Sequence, residues 1–342
     1  MTDVDIDLMK GRDEMSFKWG VIGTGRIART FCEALGGVPE AELYAVASRT
    51  AEKGAAFAKQ FGFEKNFGSY KELAEDKDID VVYIATPMSA HFEDAMLCLE
   101  NGKNVLCEKS AALNCEQLGI MLDKAKEKDL FFMEAMWMKC RPTYLKAMEW
   151  ISEGRIGKVE YVKADFCNLV EYDPDDRLFS PACGGGALLD LAVYPLTLAA
   201  DTLGEEPQEI ISSAHIGRDG VDLSNSITLR YKGGAFASLN SGFEIPNTNN
   251  AVISGDKGLI TLGNWFFCSC EATLYDRDCK EIEKSVIPNI VNGYEYEIEE
   301  VHRCLSIGLK ESRIVPHSST MAVMKIMDEC RKSWGMKFPQ EM

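Results

Sequence analysis

The 342-residue sequence predicts an α/β protein: an N-terminal doubly wound parallel sheet, then a C-terminal α+β domain with a large, open, mostly antiparallel sheet. Three observations predict it. A glycine-rich turn joins an apolar run to a helical pattern just after residue 16. Short, continuous apolar runs then alternate with helical stretches as far as residue 137, the pattern of a parallel sheet covered on both faces. Past residue 210 the chain turns to strands and tight turns.

The first strand carries Phe17, Trp19, Val21 and Ile22 and runs into Gly23-Thr24-Gly25-Arg26-Ile27-Ala28. A G-x-G-x-x-A turn between strand and helix is the context of the dinucleotide fingerprint. Gly23 permits the tight turn, Gly25 lets the backbone approach a pyrophosphate, and Ala28 keeps the helix against its strand. Thr24, Arg26 and Ile27 are placed to touch the same ligand. The next strand, 42–49, ends in Ser48-Arg49. About 20 residues after the glycines, an Asp or Glu would grip the ribose hydroxyls of NAD. Here a hydroxyl and a guanidinium stand instead, and they suit a 2′-phosphate. NADP is therefore expected over NAD, which stays possible; the bland alternative is an exposed surface arginine.

Helices follow at 51–61 and from Tyr70 to Ala74. The strand 80–85 ends in Thr86-Pro87, with His91 at the start of the next helix. The strand 104–109 ends in Glu108-Lys109, and 130–135 leads into Met136-Trp137. Ligands of doubly wound sheets sit at the carboxyl ends of strands. All of these polar or aromatic ends share that rim. His91 has two readings, a helix-start hydrogen-bonding residue or a cofactor contact.

Pro142 to Glu153 reads as a helix and Val159 to Phe166 as a strand. Further strands are expected at 227–231, 235–240, 251–254 and 259–262, the last two joined by Gly255-Asp256-Lys257-Gly258. A final helix carries Met321, Met324, Ile326 and Met327. The organisation is an acidic extension at 1–16, a nucleotide domain at 17–137 and a substrate and oligomerisation domain at 138–342.

A net charge of −17 argues against nucleic acid or an anionic membrane as partner. No apolar run approaches the roughly 20 residues of a membrane span. The N-terminus lacks the basic and apolar regions of a signal peptide. Twelve cysteines are scattered without a C-x-x-C, Cys268 and Cys270 being the only close pair. They read as reduced core thiols of a cytoplasmic protein. His215, His302 and His317 lack metal-ligand spacing, and no metal is expected. Neither a G-x-S-x-G elbow nor a Walker loop occurs.

The second informative stretch is Arg177 to Leu198, where three glycines launch a segment apolar on all sides except at Asp190, Tyr194 and Thr197. A helix of that kind is buried. Asp190 and Tyr194, four apart, share a face. Pro195 lacks the N–H that would bond the Leu191 carbonyl, so a kink is expected near Tyr194. A lone buried tyrosine is usually core. A buried carboxylate one turn away is costly unless paired, which makes the two a catalytic candidate.

Fingerprint, Ala47-Ser48-Arg49, Ala85-Thr86-Pro87 with His91, Glu108-Lys109, Trp137-Met138 with Pro142, Arg177 with the glycine run through Pro195, and the tail from Glu311 to Asp328 together resemble the Gfo/Idh/MocA oxidoreductases. Within that family the likeness is to the branch of dimeric dihydrodiol dehydrogenases and NADP-dependent xylose dehydrogenases. The resemblance implies a Rossmann-type nucleotide domain and hydride transfer between NADP and a sugar, polyol or cyclic trans-diol. It implies a catalytic Lys109, whose family motif is Glu-Lys-Pro; here Ser110 replaces the proline. Trp137 and Phe166 would line the substrate pocket with Tyr194, and a homodimer or larger assembly would form through the C-terminal sheet. An alcohol oxidised by hydride loss also gives up a proton. The expected division of labour is Tyr194 as proton acceptor, Lys109 polarising the oxygen and lowering the pKa of Tyr194, and Asp190 orienting the pair. Lys109 as proton carrier is the rival. An NAD-dependent inositol-type dehydrogenase or related reductase, and a non-catalytic NAD(P)-binding regulator, are the alternative functions.

Overall fold

A computed structural model describes residues 16–204 and 206–341. The acidic extension, except Ser16, lies outside the described residues.

The first sheet has six strands in the order β3-β2-β1-β4-β5-β6: β1 Phe17–Ile22, β2 Ala41–Ala47, β3 Lys65–Phe67, β4 Val81–Ile84, β5 Asn104–Glu108 and β6 Phe132–Ala135. Every pairing is parallel. The order reverses between β1 and β4, the switch point where such sheets take ligands. Trp19, Val21 and Ile22 are completely buried, as are all four residues of β4; both faces are covered, and that is why these strands read as unbroken apolar runs. The helices of this half are α1 Arg26–Leu35, α2 Ala51–Phe61, α3 Tyr70–Glu75, α4 His91–Glu100 and α5 Cys115–Glu127. Thr50, Ser69 and Asn114 cap α2, α3 and α5 through their side chains, so each starts where its cap stands. The three-residue β3 was not expected; it is too short to carry a period.

After α6 Trp137–Cys140 and α7 Pro142–Ser152, the chain forms an eight-stranded sheet in the order β14-β13-β12-β11-β7-β10-β9-β8. Its strands are β7 Val159–Cys167, β8 Glu209–Ile216, β9 Asp222–Arg230, β10 Phe236–Gly242, β11 Ala251–Gly255, β12 Gly258–Leu262, β13 Glu271–Asp276 and β14 Glu281–Val286. All pairs are antiparallel except β7 with β10. Buried Ile227 and Leu229 alternate with exposed Ser226 and Arg230, so one face is covered and the other open.

The covered face is packed by α7, by α8 Val193–Leu203, and by α10 His317–Trp334, which lies on α8 and β8. Pro181–Leu203 is, against expectation, long and apolar enough to span a membrane by composition, yet 89% of its most apolar window is buried. Burial on every side explains an apolar surface on every side. Helix α9 Glu295–Ser306 packs back onto α1 and α6, and α10 touches α5. Late helices thus brace the first sheet. The signal for α9 was available: Ile298, Val301 and Leu305 at helical spacing behind an acidic first turn, Glu295 and Glu297.

Candidate active site

At the end of β1, Gly23 takes φ +100°, and a Cβ there would lie 2.7 Å from the Ala85 carbonyl oxygen. Only glycine lets the turn press so closely on β4. Gly25 meets nothing within 4 Å of an ideal Cβ, and α1 starts without a side-chain cap. The first N–H groups of the helix therefore face open space beneath a bare backbone. That is a cradle for phosphate, and it fits a dinucleotide. Thr24 and Ser48 bring their hydroxyls within 3.3 Å of each other, and Arg49 beside them is exposed. Arg26 is exposed on the same turn, Ile27 is half-buried, and Thr86 and Pro87 complete the rim from β4.

Two side chains near that rim point inward, and for His91 the geometry fits the hydrogen-bonding reading. Both nitrogens of His91 lie 2.9 Å from backbone carbonyls, Nδ1 at Ser110 and Nε2 at Thr86, and burial drives the ring's pKa down to about 4. The ring has no atom left for a ligand. Glu108 is buried too: Tyr83 donates its hydroxyl to Oε1, and the Lys109 N–H reaches Oε2 at 3.2 Å. The apolar compartment that covers these strands has taken both side chains.

Lys109, one residue past β5, crosses to the second domain. Its Nζ lies 2.6 Å from the Asp190 carbonyl and 3.2 Å from Asp190 Oδ1. Arg177 brings NH1 and NH2 to the same Oδ1, each at 3.2 Å. Burial works to raise the Asp190 carboxyl pKa, but the two cations outweigh it and hold it below the usual carboxylate range. Asp190 sits in a π-wound turn, Leu188–Ala192, that runs into α8. The kink was expected near Tyr194; instead the irregular winding lies one turn ahead of Pro195, and Tyr194 itself stands in regular α-helix. The Asp222 carboxylate accepts the Leu188 N–H at 2.9 Å and fixes the entry to this turn. A Cβ on Gly186 (φ +118°) would collide with Asp222 Oδ1 at 2.4 Å.

Tyr194 follows on the same helix. Its Oη accepts a hydrogen bond from Trp137 Nε1 at 2.9 Å, and its ring lies under Lys109 Nζ at 5.3 Å from the centroid. Burial, and then the nearby charge of Glu108, push the phenol's pKa well above its ordinary value, against the Trp137 hydrogen bond. The expectation that Lys109 lowers this pKa is corrected here, because the lysine's charge is matched by Asp190 while Tyr194 is buried. Tyr194 holds its proton at neutral pH.

Around it stands an aromatic wall. Phe166 lies 5.5 Å from the Tyr194 ring and stacks on Phe267 at 4.2 Å, Phe267 is 4.9 Å from Tyr194, and Trp137 stacks on Tyr294 at 4.3 Å. Trp265 closes the side at about 6 Å from Phe166 and Phe267. Sequence reasoning found Trp137, Phe166 and Tyr194 but missed Trp265, Phe267 and Tyr294. The run Trp265-Phe266-Phe267 was the signal for two of them. The structure thus brings Lys109, Asp190, Arg177, Tyr194, Trp137 and Phe166 together. All twelve cysteines are free.

Comparison with known proteins gives a concordant result. Residues 17–136 match the family model described as an oxidoreductase family with an NAD-binding Rossmann fold, and residues 144–261 match the GFO/IDH/MocA C-terminal domain. The chain is 35% identical over 332 residues to the trans-1,2-dihydrobenzene-1,2-diol dehydrogenase of Xenopus laevis, covering 95% of this chain and 100% of that protein. The human protein of the same name is 32% identical over 335 residues, with 96% and 99% covered. Among solved structures, a 3-ketoreductase from Actinomadura kijaniata in complex with NADP and TDP-benzene superposes with a TM-score of 0.83, at 26% identity, covering 93% of this chain and 97% of that one. A levoglucosan dehydrogenase in complex with NADH and levoglucosan shares the fold with a TM-score of 0.85, at 23% identity and with 94% and 98% covered.

Proposed function

The chain belongs to the Gfo/Idh/MocA family of NAD(P)-dependent oxidoreductases, and on that premise we propose that it transfers hydride between NADP and a hydroxyl or carbonyl of a sugar, polyol or cyclic trans-diol. The observation that carries this reading is the meeting of Lys109, from the nucleotide domain, with Asp190 and Tyr194 on one turn of the other domain, against an aromatic wall.

Gly23, Thr24, Gly25, Arg26, Ile27, Ser48, Arg49, Thr86 and Pro87 would hold the dinucleotide; when bound, it supplies the hydride chemistry. The residues of the chain do the rest. Lys109 presents a cation to the reacting oxygen and stabilises the charge that develops there. Asp190 and Arg177 keep its Nζ in place. Tyr194 Oη accepts from Trp137, which leaves its own O–H to donate to the reacting oxygen. A neutral tyrosine beside a developing alkoxide is a general acid, which suits carbonyl reduction; in the reverse direction it must be charged first, so oxidation speeds up at higher pH. Trp137, Phe166, Phe267 and Trp265 favour a ring that offers C–H faces as well as hydroxyls. The open face of the eight-stranded sheet exposes Phe236 and Ile211, which supports its covering by a second copy of the chain, and twelve free cysteines support a cytoplasmic location.

Absorbance of the reduced nicotinamide tests the reading, with NADP and NAD supplied separately against pentoses, hexoses, inositols and a cyclic trans-diol. Turnover of a sugar or diol with NADP is expected. Cofactor binding without turnover across the panel would refute it.

A further inference from the structure

Where the family motif has proline after the catalytic lysine, this chain has Ser110. The residue is completely buried, and its hydroxyl donates to the Leu189 carbonyl at 3.0 Å. The next carbonyl along, that of Asp190, takes Lys109 Nζ at 2.6 Å. Two consecutive residues of the β5 loop thus serve two consecutive carbonyls of the π-wound turn. Both carbonyls lie where the chain departs from regular α winding. On its other side the Ser110 carbonyl lies 2.9 Å from His91 Nδ1, and His91 Nε2 lies 2.9 Å from the Thr86 carbonyl. Polar contacts run from the end of β4, through His91 and Ser110, to the helix of Asp190 and Tyr194; the His91 ring, neutral with one N–H, hydrogen-bonds one of the two carbonyls it faces. A proline at 110 would stiffen the loop but has no hydroxyl for Leu189.

We infer that Ser110 is a positioning residue: its hydroxyl ties the Lys109 loop of the nucleotide domain to the π-wound turn of the other domain, and so holds Lys109 in register with Tyr194. The inference rests on the reading of Lys109 as catalytic. It also gives the serine a task that proline cannot perform.

The test compares wild type with Ser110→Ala, Ser110→Thr and Ser110→Pro by amide hydrogen exchange and by steady-state kinetics. Exchange requires no substrate, so it reports on the tie whatever the reaction. In Ser110→Ala, exchange across 107–113 and 186–192 should accelerate roughly tenfold, the effect of one buried hydrogen bond lost between the two segments. Its kcat should fall about as much, with KM and NADP affinity within about twofold, because ground-state binding is untouched. Ser110→Thr should restore both readouts, and Ser110→Pro neither. Unchanged exchange in Ser110→Ala would overturn the inference. So would a loss of kcat that Ser110→Thr leaves unrepaired, since the hydroxyl would then not be the cause. Should exchange respond while wild type turns over no sugar or diol, the tie stands and the functional reading falls.

Discussion

The two halves of the site are built by opposite means. The nucleotide half, around Gly23 to Ala28, is nearly all backbone: a bare turn, an uncapped helix and open space where a Cβ of Gly25 would stand. The proton-handling half, around Asp190 and Tyr194, is nearly all side chain, with Lys109, Arg177, Trp137 and Asp222 each spending hydrogen bonds to fix it. A backbone site is specific about the absence of atoms, a side-chain site about their presence. The first should therefore fail when something is added, the second when something is taken away.

The largest effect is expected on the side-chain half. Lys109→Met removes the cation at the reacting oxygen and should cost about 10²–10³ in kcat, with NADP affinity little changed. Single-turnover rates alongside cofactor titration separate the two.

The backbone half splits into two outcomes. Gly25→Ala adds a methyl to empty space at φ −76° and ψ −172°, a conformation any residue adopts. Its Tm should match wild type while cofactor affinity drops at least tenfold or so, because the methyl stands where the pyrophosphate meets the turn. Gly23→Ala forces a positive φ and a 2.7 Å clash, so it should lower stability itself by about 1–3 kcal/mol. Equal thermal shifts in the two variants would erase the distinction. Arg49→Ala sharpens the same half from the side: the NADP/NAD preference in kcat/KM should fall by about tenfold, as one charge-assisted phosphate contact goes.

The smallest effect concerns Asp222, whose carboxyl pKa burial raises from 3.8 to about 7. A carboxyl with a raised pKa holds an extra proton in the folded state. Folding is therefore favoured most below the unfolded value, and that favour is lost as pH rises to about 7. Wild type should lose Tm between pH 5 and pH 8 relative to Asp222→Asn, which keeps an acceptor for the Leu188 N–H but does not titrate. Parallel Tm curves would contradict it.

The same contrast decides how much the sequence reveals. The fingerprint, the Ser48-Arg49 end and the apolar strands are local patterns, and five of the six strands of the first sheet follow them to within a few residues, β3 being the exception. Asp190 and Tyr194 were legible because a lone carboxylate in an apolar helix demands a partner. That the partner is Lys109, some 80 residues away, came from family resemblance and then from geometry. The inward turn of Glu108 was not legible, because the compartment that receives it is closed by other elements, and for His91 the sequence left the hydrogen-bonding and cofactor readings open. Nor was the direction of the Tyr194 shift, which depends on burial and on the charge of Glu108. Trp265 and Phe267 lie in the connection between β12 and β13 and Tyr294 at the entry to α9, where periodicity has no hold.

The central claim is that Tyr194 carries the proton on a site whose cofactor half is independent of it. Single-turnover oxidation of bound NADPH by a carbonyl substrate, with Tyr194→Phe beside wild type and the NADPH Kd read in the same samples, tests it most directly. Kd within about twofold and a rate lower by roughly 10²–10⁴ is the expected result. A Tyr194→Phe rate equal to wild type would contradict it and pass the proton to Lys109.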